Sequence, residues 1–441
     1  MEHACPGTNT RIPFPMRPGA IVYPDEEGKN LFPSYQNPFP SSTMALLCFR
    51  MNRDRIPADE RKSEVFPETG ESLLPAGMVC PTPPEKVQGE YAMNQSRLER
   101  EIRDLMQRYR EAGYFPSAVV RVFNRREMLC TVCAGDAKED SVFDLASLTK
   151  IATATQILRL CLQGLSLETE IREVLPFLRE DAELSARTEG ITLRRLLTHT
   201  STLPAWYPFY ALGDMPFPEA LRTVLRRVPA SRGVEYSDLN FMLLGKLLEE
   251  IRGKPLQDCL REDLVLPLNL GTMTYLPDRS LPLIPSSFGN PIEERMCRER
   301  DCVFTAFRSR SVPVVGQAND GNCHYYFRGV AGHAGIFADA AACERLCQYY
   351  MNAREELLLE AQREQRDAPG RGLGFQTGTA YPRGCGHTGF TGTGLYFSRS
   401  GNVGAVSLTN RLFFPGENPN ATGEFRRALQ EAVFALAGEI G

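Results

Sequence analysis

The stretch FDLASLTKIATATQILRL (residues 143–160) changes period at Ser147-Leu148-Thr149-Lys150, passing from an extended segment into a helix that runs through Leu162 and ends at Gly164. Upstream, SAVVRVF (117–123) and MLCTVCA (128–134) read as two paired strands joined by Asn124–Arg126. They follow a helix over Gln95–Ala112 whose Leu98, Ile102, Leu105 and Met106 share one face. Downstream the pattern is mostly helical to about residue 365, with loops at Thr200–Tyr210 and a long irregular stretch from Pro277 to Gly332. Strand patterns then return at His387–Phe390, Gly394–Ser398 and Val403–Thr409, and a helix over Gly423–Glu439 closes the chain. Strands at both ends with helices between them predict an α/β (α+β) fold. Its antiparallel sheet is assembled from the two termini and flanked by helices, and a mainly helical region is inserted. The sheet part is expected over about 93–146 and 370–441, the helical part over about 147–369.

Residues 1–92 read differently. The first 90 hold 14 of the 32 prolines and show no sustained helical or strand period, so the expectation is an irregular extension before a domain over 93–441. Hydrophobic residues make up 42% of the chain and charged residues 24%, which suffices for a sizeable core. A formal charge of −4 gives no footprint for nucleic acid. No apolar run approaches the roughly 20 residues of a membrane span. The 13 cysteines and an N-terminus without a signal-peptide pattern predict free thiols in the cytoplasm. Cys130-x-x-Cys133 lacks a second CxxC, and its strand-like flanks suit buried thiols better than a metal.

Three short motifs carry chemistry. In the first turn of a helix, positions i and i+3 share a face, so the Ser147 hydroxyl and the Lys150 amine can meet. A serine is a weak nucleophile until a neighbouring base takes its proton, and a lysine can do so when burial lowers its pKa. Tyr236-Ser237-Asp238 follows 89 residues later, just before the amphipathic run LNFMLLGKLLEEIRG. Its bland reading is a surface tyrosine and a helix cap, its functional one a proton relay. His387-Thr388-Gly389, 151 residues further on, opens a strand. An edge strand beside the nucleophile supplies a backbone N–H to an oxyanion hole, and Gly389 permits close approach.

In this order, SLTK, YSD and HTG resemble the SxxK, YxN and K/H-T/S-G motifs of the class C β-lactamases and penicillin-binding-protein-like serine hydrolases, the β-lactamase-related family. FPSA (115–118), LLTHTSTLPAW (196–206), GVAGHAGIF (329–337) and SLTNR (407–411) are similar to further landmarks of that family, so the resemblance covers about residues 94–441. It implies a serine β-lactamase/DD-peptidase-like fold with the site between sheet and helical region. Ser147 would be acylated, Lys150 would assist, and Tyr236 would pass the proton to the leaving group. Asp238, His387, Thr388, Gly389 and Phe390 would contact substrate, and the oxyanion hole would use the backbone N–H groups of Ser147 and Phe390. No metal or organic cofactor is implied; the partner is a small ester or amide.

Two departures bear on substrate. Asp238 replaces the asparagine of YxN, so it cannot donate to a substrate carbonyl unless protonated, and its charge would hold Lys150 as an ammonium. That shifts proton transfer toward Tyr236. His387 replaces lysine, and a neutral imidazole attracts a carboxylate less than an ammonium does. Both favour hydrolysis of carboxylic esters or small amides over a β-lactamase or a D-Ala-D-Ala-type peptidase. A non-catalytic ligand-binding relative is the alternative class, but it would be expected to have lost Ser147 or Lys150. An α/β-hydrolase is excluded because no GxSxG occurs. Thr202, where the family often has glycine, is expected to alter a loop near the site only. His199 and His333 are expected to be structural hydrogen-bonding residues, and Trp206 and Tyr207 to be either a cleft wall or a packed anchor.

Overall fold

Alternation in Ala118–Phe123 sends Ala118, Val120 and Val122 to one face of a strand and Val119 and Phe123 to the other, and both faces are buried. A strand of this kind needs cover on two sides. The computed structural model, which describes residues 85–437 apart from 417, 419 and 421, supplies it. The elements that matter, in chain order, are α1 (Glu85–Glu111), β1 (Ala118–Phe123), β2 (Met128–Ala134), β3 (Phe143–Asp144), α2 (Thr149–Leu162) and α3 (Asp238–Arg252). They are followed by β4 (Thr274–Tyr275), β5 (Ile336–Ala338), α4 (Ala340–Met351), β6 (Cys385–Thr388), β7 (Gly394–Ser398), β8 (Val403–Thr409) and α5 (Gly423–Ala437).

The main sheet has the order β2-β1-β8-β7-β6 and is antiparallel throughout. Its join between the termini is β1 on β8, from Ala118 opposite Thr409 to Phe123 opposite Gly404. The expected sheet built from both ends of the chain is therefore present, with β6 at its edge. On one face α1 and α5 bury Leu98, Ile102, Met106, Phe425 and Val433 against Val120, Val122 and Ala405. Each such side chain contributes roughly 1.5–3 kcal/mol of transfer free energy. On the other face α4 and α2 pack Cys347, Tyr350 and Ile157 against Val119, Phe123 and Val406. Helix α2 is buried on every side from Thr149 to Leu158, as a helix at the centre of a fold must be.

The differences from the sequence reading are local. Helix α1 begins at Glu85 rather than Gln95, and the expected extension lies, up to residue 84, outside the described residues. Strand β6 is Cys385–Thr388, so Gly389 and Phe390 fall in the turn beyond it. The stretch from Pro277 to Gly332 contains a helix at Pro291–Arg298 and a ladder pairing Ser287–Phe288 with Pro313–Val314. Both are too short to impose a visible period. A small sheet β3-β5-β4 ties the residues before Ser147 to the glycine-rich segment. Cys130 and Cys133, three apart on β2, divide between the two cores, as odd spacing on a strand requires. Among the described residues no helix is long and apolar enough to cross a membrane.

Candidate active site

The chain turns sharply where β3 hands over to α2. Ala146, just before the serine, has φ +48, a left-handed conformation that a non-glycine residue holds only when its surroundings enforce it. Asp144 enforces it from below. Its Oδ1 accepts the Ala146 backbone N–H (2.8 Å) and its Oδ2 the Asn319 N–H (2.6 Å). Burial pushes this carboxyl up to about 6 while those two N–H groups favour the anion. From the strand side, the Thr391 and Thr393 hydroxyls donate to the carbonyls of Asp144 and Leu145, at 2.9 Å each. The result is a half-exposed Ser147 on a single 3-10 turn at the head of a buried helix.

Lys150, one turn along, is fully buried. Its Nζ lies 3.0 Å from Ser147 Oγ, 2.7 Å from Asp238 Oδ1 and 3.0 Å from the His333 carbonyl, which accepts from it. Burial pulls the lysine pKa down, but the Asp238 carboxylate and the Tyr236 hydroxyl outweigh it, so the net shift is upward and the ammonium is held charged. The His333 carbonyl reaches this point because the glycine-rich segment lies directly on α3. A Cβ on Gly332 would stand 2.1 Å from the Phe241 carbonyl oxygen, so only glycine fits. Thr153 adds a hydrogen bond from its hydroxyl to the Gly332 carbonyl (2.8 Å).

Tyr236 precedes α3 and is caged by rings and cations. His199 lies at 4.6 Å and His387 at 5.9 Å between centroids, both rings tilted, while Lys150 Nζ lies 5.0 Å and the Arg371 guanidinium 5.3 Å from the ring centre. Burial raises the phenol pKa; Lys150 and Ser147, both within reach of the hydroxyl, lower it, and the net shift remains upward. The phenol is thus protonated at neutral pH. His199 accepts the Ser237 backbone N–H on Nδ1 (3.0 Å) and is held neutral, well below its ordinary pKa, by burial and then by Arg371 and Lys150. It is a structural hydrogen-bonding residue, as expected. His333 bonds Asp320 through Nε2 (2.9 Å), and its backbone carbonyl is the unforeseen part.

The strand side is close and neutral. His387 is buried, and its pKa is pushed down to about 3 by burial and then by Lys150. With Nδ1 bonded to the Thr388 carbonyl (2.8 Å), Nε2 is left buried without a partner. A Cβ on Gly389 would lie 2.0 Å from Thr393 Oγ1 and 2.6 Å from the Leu145 carbonyl oxygen. The glycine is therefore demanded by the turn that carries Ser147, where the sequence pointed to substrate. Phe390 is exposed, and its carbonyl accepts from Arg411 Nε (2.9 Å).

Ser147, Lys150, Tyr236 and Asp238 are thus brought together, with His387, Thr388, Gly389 and Phe390 along the facing edge. Asp238 sits on Lys150, where its charge holds the ammonium as the sequence led one to expect. Arg371 was missed. It is half-buried, its Nη1 is buried with no hydrogen-bond partner, and burial lowers its pKa. Among the described residues it forms no ion pair.

A family model described as Beta-lactamase matches residues 102–429. The N-acetylmuramyl-L-alanine amidase of Bacillus subtilis (strain 168) is 28% identical over 409 residues, covering 81% of this chain and 90% of the relative. Among solved structures, EstCE1, a hydrolase with promiscuous acyltransferase activity, superposes with a TM-score of 0.56 at 17% identity, over 79% of this chain and 99% of the other. A class C beta lactamase gives 0.55 at 16% identity, over 78% and 98%.

Proposed function

The chain belongs to the beta-lactamase family, and within it we propose a serine hydrolase that forms an acyl-enzyme on Ser147 and acts on small amides or carboxylic esters. The observation that carries this reading is the position of Lys150 Nζ, 3.0 Å from Ser147 Oγ and 2.7 Å from Asp238 Oδ1. Amides are favoured over esters because the Bacillus subtilis relative is named as an amidase.

The charge states dictate the proton path. An ammonium held by a carboxylate has no lone pair for the serine proton, and a protonated phenol is no base. Lys150 therefore hands one proton to Asp238 as it takes the proton of Ser147, the pair acting as a single acceptor. The Ser147 oxygen bonds to the substrate carbonyl carbon, and the oxyanion is received by the backbone N–H groups of Ser147 and Phe390. When the carbon–nitrogen or carbon–oxygen bond breaks, Tyr236 gives its proton to the departing atom and is refilled from Lys150, which recovers its own from Asp238. Water then repeats the sequence on the acyl-enzyme, its proton travelling the same way, and releases the acid. Arg371 supplies near Tyr236 the positive charge that neutral His387 does not.

Incubation with a fluorophosphonate followed by intact-mass measurement tests the reading. A single adduct mapping to Ser147 and missing in Ser147→Ala is expected. Labelling elsewhere, or none in the folded protein, rules it out.

A further inference from the structure

Four segments remote in sequence meet at a second cavity, and each brings an arginine to it. Arg125 comes from the turn between β1 and β2, and Arg363 from just beyond a short helix at Glu356–Ala361. Arg383 stands two residues before β6, and Arg399 opens the turn between β7 and β8. None of the residues placed around Ser147 lines this cavity. Its volume is about 360 Å³, at the small end of the roughly 300–1,000 Å³ of small-molecule sites. The rest of the lining is neutral, with Leu359 and Phe397 as its apolar part, and no aspartate or glutamate contributes. Hydrogen bonds fix the segments on one another. The Arg125 N–H donates to Asn402 Oδ1 (3.3 Å) and its carbonyl accepts from Asn352 Nδ2 (2.9 Å). Arg125 Nη2 donates to the Arg399 carbonyl, Arg399 Nη1 to the Ala353 carbonyl, and the Ser398 hydroxyl to the Arg383 carbonyl (2.8 Å).

Charge decides the class of ligand. Like charges gathered at one place repel, and a fold offsets this by interleaving carboxylates. Here only Arg363 has one: it pairs with Glu356 (2.9 Å) at the outer edge, its side chain 62% exposed. Among the described residues Arg125, Arg383 and Arg399 form no ion pair. Arg125 Nε is moreover buried with no hydrogen-bond partner, and burial followed by the charge of Arg399 lowers the Arg125 pKa. Each guanidinium carries five N–H donors, so most of them remain unspent. An apolar ligand would strip water from these groups and return nothing. A monocarboxylate would cancel one charge of three. A phosphoryl group turns its oxygens in several directions and is matched bidentately by guanidinium forks. Two phosphoryl groups in tandem carry charge enough for three arginines. They also leave room beside Leu359 and Phe397 for an attached organic group.

We propose that this four-arginine cavity binds the diphosphate group of a small anion, free or esterified. The site is independent of the chemistry at Ser147, so binding should be the same in Ser147→Ala. The full-length protein is titrated calorimetrically with pyrophosphate, ADP, citrate and sulfate at about 0.15 M ionic strength, where long-range attraction is screened. Saturable binding of pyrophosphate or ADP is expected, with a matching rise in Tm. Tighter binding of ADP would identify an esterified diphosphate as the occupant, tighter binding of pyrophosphate a free one. Arg383→Gln and Arg363→Gln, both at exposed positions, should each weaken the complex, Arg383→Gln by about tenfold. Arg126→Gln removes the same charge from an exposed neighbour outside the lining and should change nothing. The absence of a saturable response to both diphosphates overturns the proposal. Citrate or sulfate binding equally well overturns it too, as does an Arg126→Gln variant weakened as much as Arg383→Gln.

Discussion

Asp238→Asn separates a carboxylate that accepts a proton from one that merely holds Lys150 in place. At 2.7 Å and an effective dielectric of about 20, the bare attraction between the two charges is about 6 kcal/mol. The amide keeps an oxygen that can accept from Nζ, and neighbouring opposite charges move a pKa by about 1–3 units. The Lys150 pKa should therefore fall, with a loss of roughly 1–4 kcal/mol in the hold on the ammonium. If Lys150 were simply a base suppressed by Asp238, freeing it would speed acylation at neutral pH. If the carboxylate is the proton's destination, as proposed, kcat/KM at pH 7 should drop about a hundredfold. The residual rate should then climb with pH toward the lowered lysine pKa, because a free amine has become the required species. The assay is kcat/KM for an aryl ester between pH 5 and 10, with thermal unfolding run alongside to show that the variant is folded. An Asp238→Asn enzyme as fast as the parent at pH 7, or faster, refutes the relay.

Other expectations follow from single contacts. Thr202 has φ +66, a conformation costly for a β-branched residue, so Thr202→Gly should raise stability by about 1 kcal/mol, read as an increase in Tm. A lower Tm would show that the threonine side chain contributes more than the strain costs. Arg371→Met should cut the preference for a substrate bearing a carboxylate over its carboxamide analogue by about tenfold, with Arg371→Lys retaining part of it. Equal losses on both substrates would make Arg371 a mere support. Glu293 is pushed up to about 8 by burial and then by Asp320, although Gly321 N–H (2.7 Å) and the Tyr210 hydroxyl (2.9 Å) favour its anion. The folded state therefore holds a proton that the unfolded chain releases above about 4.5. Its stability is fully present below that pH and is lost as pH rises toward 8. Glu293→Gln should flatten that decline and be more stable than the parent at pH 8.5 by on the order of 2–4 kcal/mol; parallel Tm curves would contradict the assignment.

What the sequence disclosed was whatever period and spacing can encode. The two-residue repeat of β1 and β8 and the i, i+3 relation of Ser147 and Lys150 are local, and both survive in the fold. Arg371 is not local. It sits in a loop between α4 and β6 and reaches Tyr236 because its neighbour Gln376 bridges to Gly386, extending the edge of the sheet. No pattern in APGRGLGFQ signals that pairing. Asp144 likewise reads as a polar residue in an apolar run, and the second of its two acceptor bonds exists only once Asn319, 175 residues away, has arrived. Thr202 was legible only as a departure from glycine. The positive φ explains why glycine suits the position.

The two departures from the family's motifs also make sense together. Replacing lysine by histidine at 387 removes a positive charge from the strand side, since burial keeps that imidazole neutral. Replacing asparagine by aspartate at 238 adds a negative charge beside Lys150. Taken alone, the pair of changes leaves Lys150 compensated and position 387 uncharged, a site less suited to an anionic substrate. Arg371 offsets that, because Lys150 and Asp238 cancel each other while its guanidinium forms no ion pair among the described residues. Its positive charge lies 5.3 Å from the centre of the Tyr236 ring. A substrate carboxylate drawn to it would lie next to the phenol that we propose protonates the departing group, which would bring the recognising charge and the releasing proton together at Tyr236.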